Sequence, residues 1–232
     1  MKARVFAVAA LAVVSLLALT AGAARAADEC KGLQTCVPVE GPWVVVGSVG
    51  VDWELKCPLP GYIVGGTDAR VSTKDVDVSF RAETGSPVGP GVATRHSLVF
   101  HGLRTGGTGT SSFQPFIGCI PTSGGGGRSL TAYTAQAIGI KPTHPLFSVV
   151  VTSSIDRRSQ VVRAACPKAA RLVGATHAVG FDQTVPPTST QRNAIRVKRS
   201  VVEGVVVARV RATPAVGAFA KVQVRALCSR SR

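Results

Sequence analysis

The chain of 232 residues is poor in aromatic side chains, in acidic side chains and in helical hydrophobic periodicity. Phe, Trp and Tyr together make up 5%, and 12 Asp and Glu stand against 27 Lys and Arg. The resulting formal net charge of +15 favours anionic partners. No stretch beyond residue 26 combines a strong helical period with capping residues, so we expect little helix. Hydrophobic residues still make up 45%, which excludes a disordered chain.

Motifs for catalysis and for cofactor binding are absent as well. No Gly-x-Ser-x-Gly nucleophile turn occurs, and Gly106-Gly107-Thr108-Gly109 lacks the Gly-Lys-Ser/Thr ending that binds phosphate. Ile63-Val64-Gly65-Gly66 resembles the activated N-terminus of chymotrypsin-like proteases, but their Gly-Asp-Ser-Gly-Gly string is missing. We therefore expect no cofactor and favour a protein without catalytic activity.

The carboxylates leave two alternatives open. Asp75 and Asp77, with Asp68 nearby, could offer oxygens to Ca²⁺, although calcium loops carry more oxygens and a solvated strand face is the better interpretation. Three other carboxylates could pair as acid and base if the fold brings them together: Glu40, Asp52 and Glu54. A secreted hydrolase therefore remains an alternative.

The four histidines give no catalytic pattern. His96 and His101 are five positions apart, so on one strand they would face opposite sides. His144 precedes a proline in a loop-like stretch. His177 occupies the position that Asp68 holds in the repeat described below, where a tolerant turn position is the simplest interpretation.

The first 26 residues predict a removable signal peptide. Lys2 and Arg4 precede the apolar stretch Val5 to Leu19, and Ala24-Arg25-Ala26 supplies the small-x-small pattern of a cleavage site. No later apolar run is long enough to span a bilayer as a helix. We expect a mature protein that is secreted or on the exterior of the cell envelope, cleaved near Ala26.

All six cysteines follow the predicted leader. An even number in an exported chain indicates three disulfides, and no CxxC pair or nearby histidine suggests a metal site. The separation from Cys57 to Cys119 is 62 positions, and so is the separation from Cys166 to Cys228. Aligned on the offset of 109, six of the thirteen residues from Cys57 to Ala69 are identical in the second segment. We predict two tandem β units, the pairs Cys57–Cys119 and Cys166–Cys228, and a short Cys30–Cys36 loop.

The hydrophobic pattern within the units is that of strands. Lys221 to Ala226 alternates polar and apolar residues, and Glu203-Gly204 separates the Val-rich runs Ile195 to Val202 and Val205 to Arg211 as a hairpin turn would. In the first unit, the same offset predicts a strand from His96 to His101 with an irregular partner near 87–93. Opening strands are expected at Trp43 to Val46 and Phe147 to Val151.

These patterns predict an all-β fold, sandwich- or barrel-like, in four segments. The segments are a signal peptide (1–26), an N-terminal β unit with the Cys30/Cys36 loop (27–121), a Gly- and Pro-rich linker (122–145) and a basic C-terminal β unit (146–232).

Positive charge is concentrated in the C-terminal unit. From residue 27 to 156 the chain has nine Lys or Arg against ten Asp or Glu, whereas from 157 onward it has fifteen against two. Alternation places Arg196 with Lys198 on one face, and Arg209 with Arg211 on one face. The residues that we expect to contact a polyanion are Arg192, Arg196, Lys198, Arg199, Arg209 and Arg211. The alternative is compositional drift in a high-GC genome, which would explain the 19 Arg against eight Lys.

The cysteine-bounded segments resemble a group of uncharacterised exported proteins of actinobacteria. Units of that group open with Cys-Pro-x-x-Gly, continue into Val-Gly-Gly-x-Asp and close with a Val-x-Val-x-Ala-x-Cys strand. Cys57 to Asp68 fits the opening and Val222 to Cys228 fits the close, whereas Ala170, Ala175 and His177 depart from the pattern. The resemblance implies an exported bacterial β module and carries no activity with it.

We therefore expect an exported, non-catalytic binding or envelope-associated protein. Its partner would be an anionic polymer, such as a wall polymer, an acidic glycan or extracellular DNA, bound through the C-terminal unit. Besides the hydrolase, the second alternative is a structural surface module that binds a protein partner.

Overall fold

The computed structural model describes residues 28–33, 35–82, 96–107, 109, 111–121, 146–155, 159–217 and 219–230. It is all-β with little helix, as predicted. Three predicted segments lie outside the described residues: the signal peptide, the linker 122–145 and the irregular segment near 87–93.

Thirteen strands and one short α-helix make up the described chain. The first half contains β1 (Val37–Glu40), β2 (Trp43–Val46), β3 (Val51–Lys56), β4 (Tyr62–Val71), β5 (Val76–Ala82), β6 (Ser97–Arg104) and β7 (Ser111–Pro121). The second half contains β8 (Leu146–Ser154), β9 (Ser159–Ala165), β10 (Ala170–Phe181), α1 (Ser189–Asn193), β11 (Ile195–Val202), β12 (Val205–Ala212) and β13 (Ala220–Arg230). Two 3₁₀ turns are found at Asp28–Cys30 and Pro214–Val216.

The two halves share one order of strand pairing. In the first half β7 pairs with β4 on one edge and with β1 and β2 on the other, while β6 lies between β3 and β5. In the second half β13 lies between β8 and β10, and β12 lies between β9 and β11. Each half thus stacks two antiparallel sheets around its own buried cluster. That the halves are copies of one repeat stays a prediction.

A direct strand pair joins the halves. Trp43 and Val44 of β2 lie opposite Phe181 and Gly180 of β10, which merges the two larger sheets into one of seven strands. Ala178 of β10 belongs to the buried cluster of the first half. The halves therefore share both backbone hydrogen bonds and core.

All three predicted disulfides are present. Cys57 pairs with Cys119 and Cys166 with Cys228, each at a sequence separation of 62, and the third bridge is Cys30–Cys36. The Cα–Cα distances of 5.6 to 5.8 Å are those of ordinary bridges. Three disulfides indicate folding in an oxidising, extracellular environment.

The predicted hairpin of the second half is confirmed. β11 and β12 pair from Ile195↔Ala212 to Val202↔Val205, which leaves Glu203 and Gly204 as the two turn residues. Both have positive φ, 50° and 77°, as a type I′ turn requires. In the first half, the strand predicted at His96 to His101 is β6, which begins at Ser97. β5 pairs with it along one edge.

The second half carries a one-residue shift relative to the cysteine alignment. Val64 lies opposite Cys119, whereas Leu172, one position earlier than the alignment requires, lies opposite Cys228. The length of the turn that precedes each strand explains the shift. β10 begins four residues after Cys166, whereas β4 begins five residues after Cys57. His177 therefore has the register position of Ala69 and not that of Asp68. It lies inside β10, so its interpretation as a turn position was wrong.

Within the described residues, no helix is long and apolar enough to cross a membrane.

Candidate anion-binding face

Four of the predicted basic residues form two cross-strand pairs on the β11–β12 hairpin. Arg196 lies directly opposite Arg211, and Lys198 lies directly opposite Arg209. Directly opposed residues of an antiparallel pair project from the same side of the sheet. All four side chains are exposed, so the hairpin carries a two-by-two array of cations on one surface.

The third strand extends this array. Arg163 of β9 lies opposite Val207 of β12, which has the same facing as Arg209 and Arg211. Its side chain is exposed. We call this exposed surface the basic face; it is formed by Arg163, Arg196, Lys198, Arg209 and Arg211.

The opposite side of the same sheet holds the array in place. Val206, Ala208 and Val210 alternate with the basic residues of β12 and are completely buried in the core of the second half. Val162 and Ala164 do the same on β9. Because successive residues of a strand face opposite sides, the burial of these side chains fixes the side that each cation of the basic face occupies.

Positive charge on the basic face is not balanced by acidic partners in the described part of the chain. Among the described residues, none of its five cations forms an ion pair. The second half has only two acidic residues from Arg157 onward. Asp182 pairs with Lys221, and Glu203 lies in the hairpin turn. Unbalanced cations on one surface attract anions from solution.

Two predicted contact residues lie away from this face. Arg199 projects from the opposite side of β11, in step with Val197 and Val201. Arg192 belongs to α1, where its Nη1 donates a hydrogen bond of 2.6 Å to the carbonyl oxygen of Pro187. The structure thus brings together four of the six predicted residues. It adds Arg163, which the sequence could not reveal because its place depends on the pairing of β9 with β12, two strands that are distant in the sequence.

The carboxylates considered for catalysis all have partners. The Asp52 carboxylate accepts from Arg225 Nη1 at 3.1 Å and lies 2.7 Å from His101 Nδ1. Glu40 accepts from Gln114 at 2.6 Å. Glu54 has a fully buried side chain 3.3 Å from Lys56 Nζ. A groove of about 340 Å³ between the halves is lined in part by Glu40 and Glu54.

The His101–Asp52 pair could not be found from the sequence. It depends on Asp52 of β3 lying opposite His101 of β6, two strands that are 49 positions apart. His96 lies just before β6, and its Nδ1 is 2.6 Å from the carbonyl oxygen of Tyr62. His144 lies outside the described residues.

The calcium alternative gains no support from the placement of its residues. Asp75 lies in the turn before β5, Asp77 is exposed on that strand, and Asp68 is on β4. In the part of the chain that the structure describes, no three His, Cys, Asp or Glu side chains are grouped as metal ligands.

Comparison of the chain with protein-family models, with curated proteins and with solved structures finds no match.

Proposed function

We propose that the protein is an exported, non-catalytic binding protein that holds an anionic polymer of the cell envelope or its surroundings on the basic face. The observation that carries this proposal is the register of the hairpin, which sets Arg196 against Arg211 and Lys198 against Arg209 on one exposed surface. The predicted signal peptide and the three disulfides agree with an extracellular site of action.

A polymer suits this surface better than a small ion. Successive outward residues on a strand are about 7 Å apart and neighbouring strands about 5 Å apart, so the five cations cover an extended area. A chain with repeated anionic groups can contact several of them at once and release bound counterions. Wall polymers, acidic glycans and extracellular DNA all have this character.

The same surface argues against reading of nucleic-acid sequence. The outward positions of β9, β11 and β12 hold Ser, Val, Ala, Arg and Lys and no aromatic side chain. Single-stranded bases are held mainly by stacking on aromatic rings. Binding is therefore expected to depend on charge density and not on base sequence.

The proposal is tested by measuring affinity for a labelled anionic polymer, such as polyphosphate or heparin, across a salt series. We expect the logarithm of affinity to fall linearly with the logarithm of salt concentration. The double variant Arg196→Gln/Arg209→Gln should weaken binding about tenfold or more at low salt and should make the slope shallower. The matched control is Lys74→Gln/Lys168→Gln, which removes two exposed cations from turns elsewhere. Equal weakening by both variants would contradict the assignment to this face.

A further inference from the structure

A second cavity, separate from the basic face, lies where the two halves meet. It measures about 250 Å³ and is bounded by the loop 47–50 between β2 and β3, by β10 and by α1. Its walls are largely aliphatic: Val45, Val49, Val51, Val179 and Ile195. Val49 is 89% exposed, so an apolar side chain is held in solvent at this cavity.

Two polar side chains line this aliphatic space with buried atoms that lack partners. His177 Nδ1 and Arg192 Nε are both shielded from solvent, and neither forms a hydrogen bond within the described part of the chain. Almost all buried polar atoms in native proteins have a partner, so an unpaired one needs an explanation. Both side chains line the cavity, so a rotation of either one towards it would bring its unpaired atom to an acceptor on a bound ligand.

The local charge favours an anionic ligand. Arg192 remains positively charged although burial lowers its pKa from the ordinary value. Burial, and then the positive charge of Arg199, lower the pKa of His177, which keeps the imidazole neutral near pH 7. Among the described residues that line the cavity, none is acidic.

We propose that this cavity binds a small amphiphilic anion, a monocarboxylate with a short aliphatic chain. The carboxylate would accept from Arg192 and contact His177, and the chain would lie among the valines. A few convergent polar groups in an otherwise apolar cavity are the usual design of a small-molecule site. The larger groove between the halves offers less, because Lys221 and Lys56 there already pair with Asp182 and Glu54.

The test is a titration of the oxidised protein with hexanoate, followed by amide NMR shifts. Hexanoate should cause saturable shifts around 45–51, 177–179 and 192–195, hexanol should bind more weakly, and hexylammonium should not bind. Arg192→Gln should weaken hexanoate binding about tenfold, since a hydrogen bond to a charged group is lost. The control Lys168→Gln, which removes an exposed cation from the turn before β10, should bind hexanoate as the native chain does.

A second readout keeps the test independent of whether Arg192→Gln folds. Besides burial, the charge of Arg199 of β11 lowers the pKa of His177, Arg192 of α1 lines the same cavity, and the loop 47–50 has no charged residue. A bound carboxylate stabilises the imidazolium, so hexanoate should raise the NMR pKa of His177 in the native chain and hexanol should not. Absence of saturable shifts, or equal binding of hexanoate and hexanol with an unchanged His177 pKa, would overturn the proposal.

Discussion

At the scale of single residues, two glycines explain how the N-terminal loop reaches the sheet. Gly66 of β4 and Gly118 of β7 lie opposite each other, and the carbonyl oxygen of Glu29 rests against both. A Cβ atom would lie 1.8 Å from that oxygen at Gly66 and 2.2 Å at Gly118. Gly66 of the Val-Gly-Gly motif therefore packs, together with Gly118, against the segment beside the Cys30–Cys36 loop.

The change Gly66→Ala tests this packing. The new methyl group must displace the Glu29 backbone, so we expect the free energy of unfolding to fall by about 2 kcal/mol or more in urea denaturation. Gly47→Ala is the control, because a Cβ there meets nothing within 4 Å. A loss at Gly66 no larger than at Gly47 would show that the loop does not pack as described.

Glu29 itself gives the stability a pH dependence. Burial, assisted by Asp68, raises the pKa of the Glu29 carboxyl above its ordinary value, and among the residues that the structure describes one of its oxygens has no partner. A carboxyl whose pKa is higher in the folded state favours folding when protonated, so this contribution is lost as the pH rises through the folded pKa. We expect Glu29→Gln to be more stable than the native chain at pH 7, with the difference shrinking below the unfolded pKa. Urea denaturation of both chains at pH 4 and pH 7 measures it, and a difference independent of pH would contradict this account.

At the scale of elements, the free edge of β3 is closed by a side chain from the other half. Gln223 of β13 accepts from the Glu54 backbone N–H at 2.7 Å, and its Nε2 donates to the Glu54 carbonyl at 3.0 Å and to Thr152 at 3.1 Å. The amide thus replaces a neighbouring strand over one residue. Arg225, two positions on, bonds Ser148 of β8 and Asp52 of β3.

We expect truncation of Gln223 to remove these hydrogen bonds between the halves. Gln223→Ala leaves the buried backbone groups of Glu54 without these partners, and we expect a loss of about 2 kcal/mol in the free energy of unfolding. Gln160→Ala removes an exposed bond to the Ser154 carbonyl and should change stability by less than about 0.5 kcal/mol. Equal effects of the two changes, measured by chemical denaturation, would rule out a role for Gln223 in joining the halves.

Strands with local signals were predictable, and pairings between distant strands were not. The β11–β12 hairpin could be predicted from the Val-rich runs that flank Glu203-Gly204, because its contacts are close in sequence. The β3–β6 pairing, and with it the His101–Asp52 contact, requires a register that no local pattern encodes. The one-residue shift of β10 escaped the cysteine alignment because a turn can shorten without moving either cysteine.

At the scale of the whole molecule, the unequal charge of the halves has a structural counterpart. Among the acidic side chains of the first half, Asp52 pairs with Arg225 of the second half. The excess cations of the second half instead remain exposed on a sheet whose other side is core. Composition predicted the excess of positive charge, and alternation predicted the side of the strand on which each cation lies. The register of the β11–β12 hairpin places the two rows of cations opposite each other.

The measurement that tests the central claim most directly is the salt dependence of polymer binding by the native chain and by Arg196→Gln/Arg209→Gln. Both chains should bind more tightly as salt falls, and the variant should show a slope shallower by about two ion equivalents, because two phosphate or carboxylate contacts are gone. Absence of binding at low salt, or a variant slope equal to that of the native chain, would contradict the claim that the basic face holds the polymer.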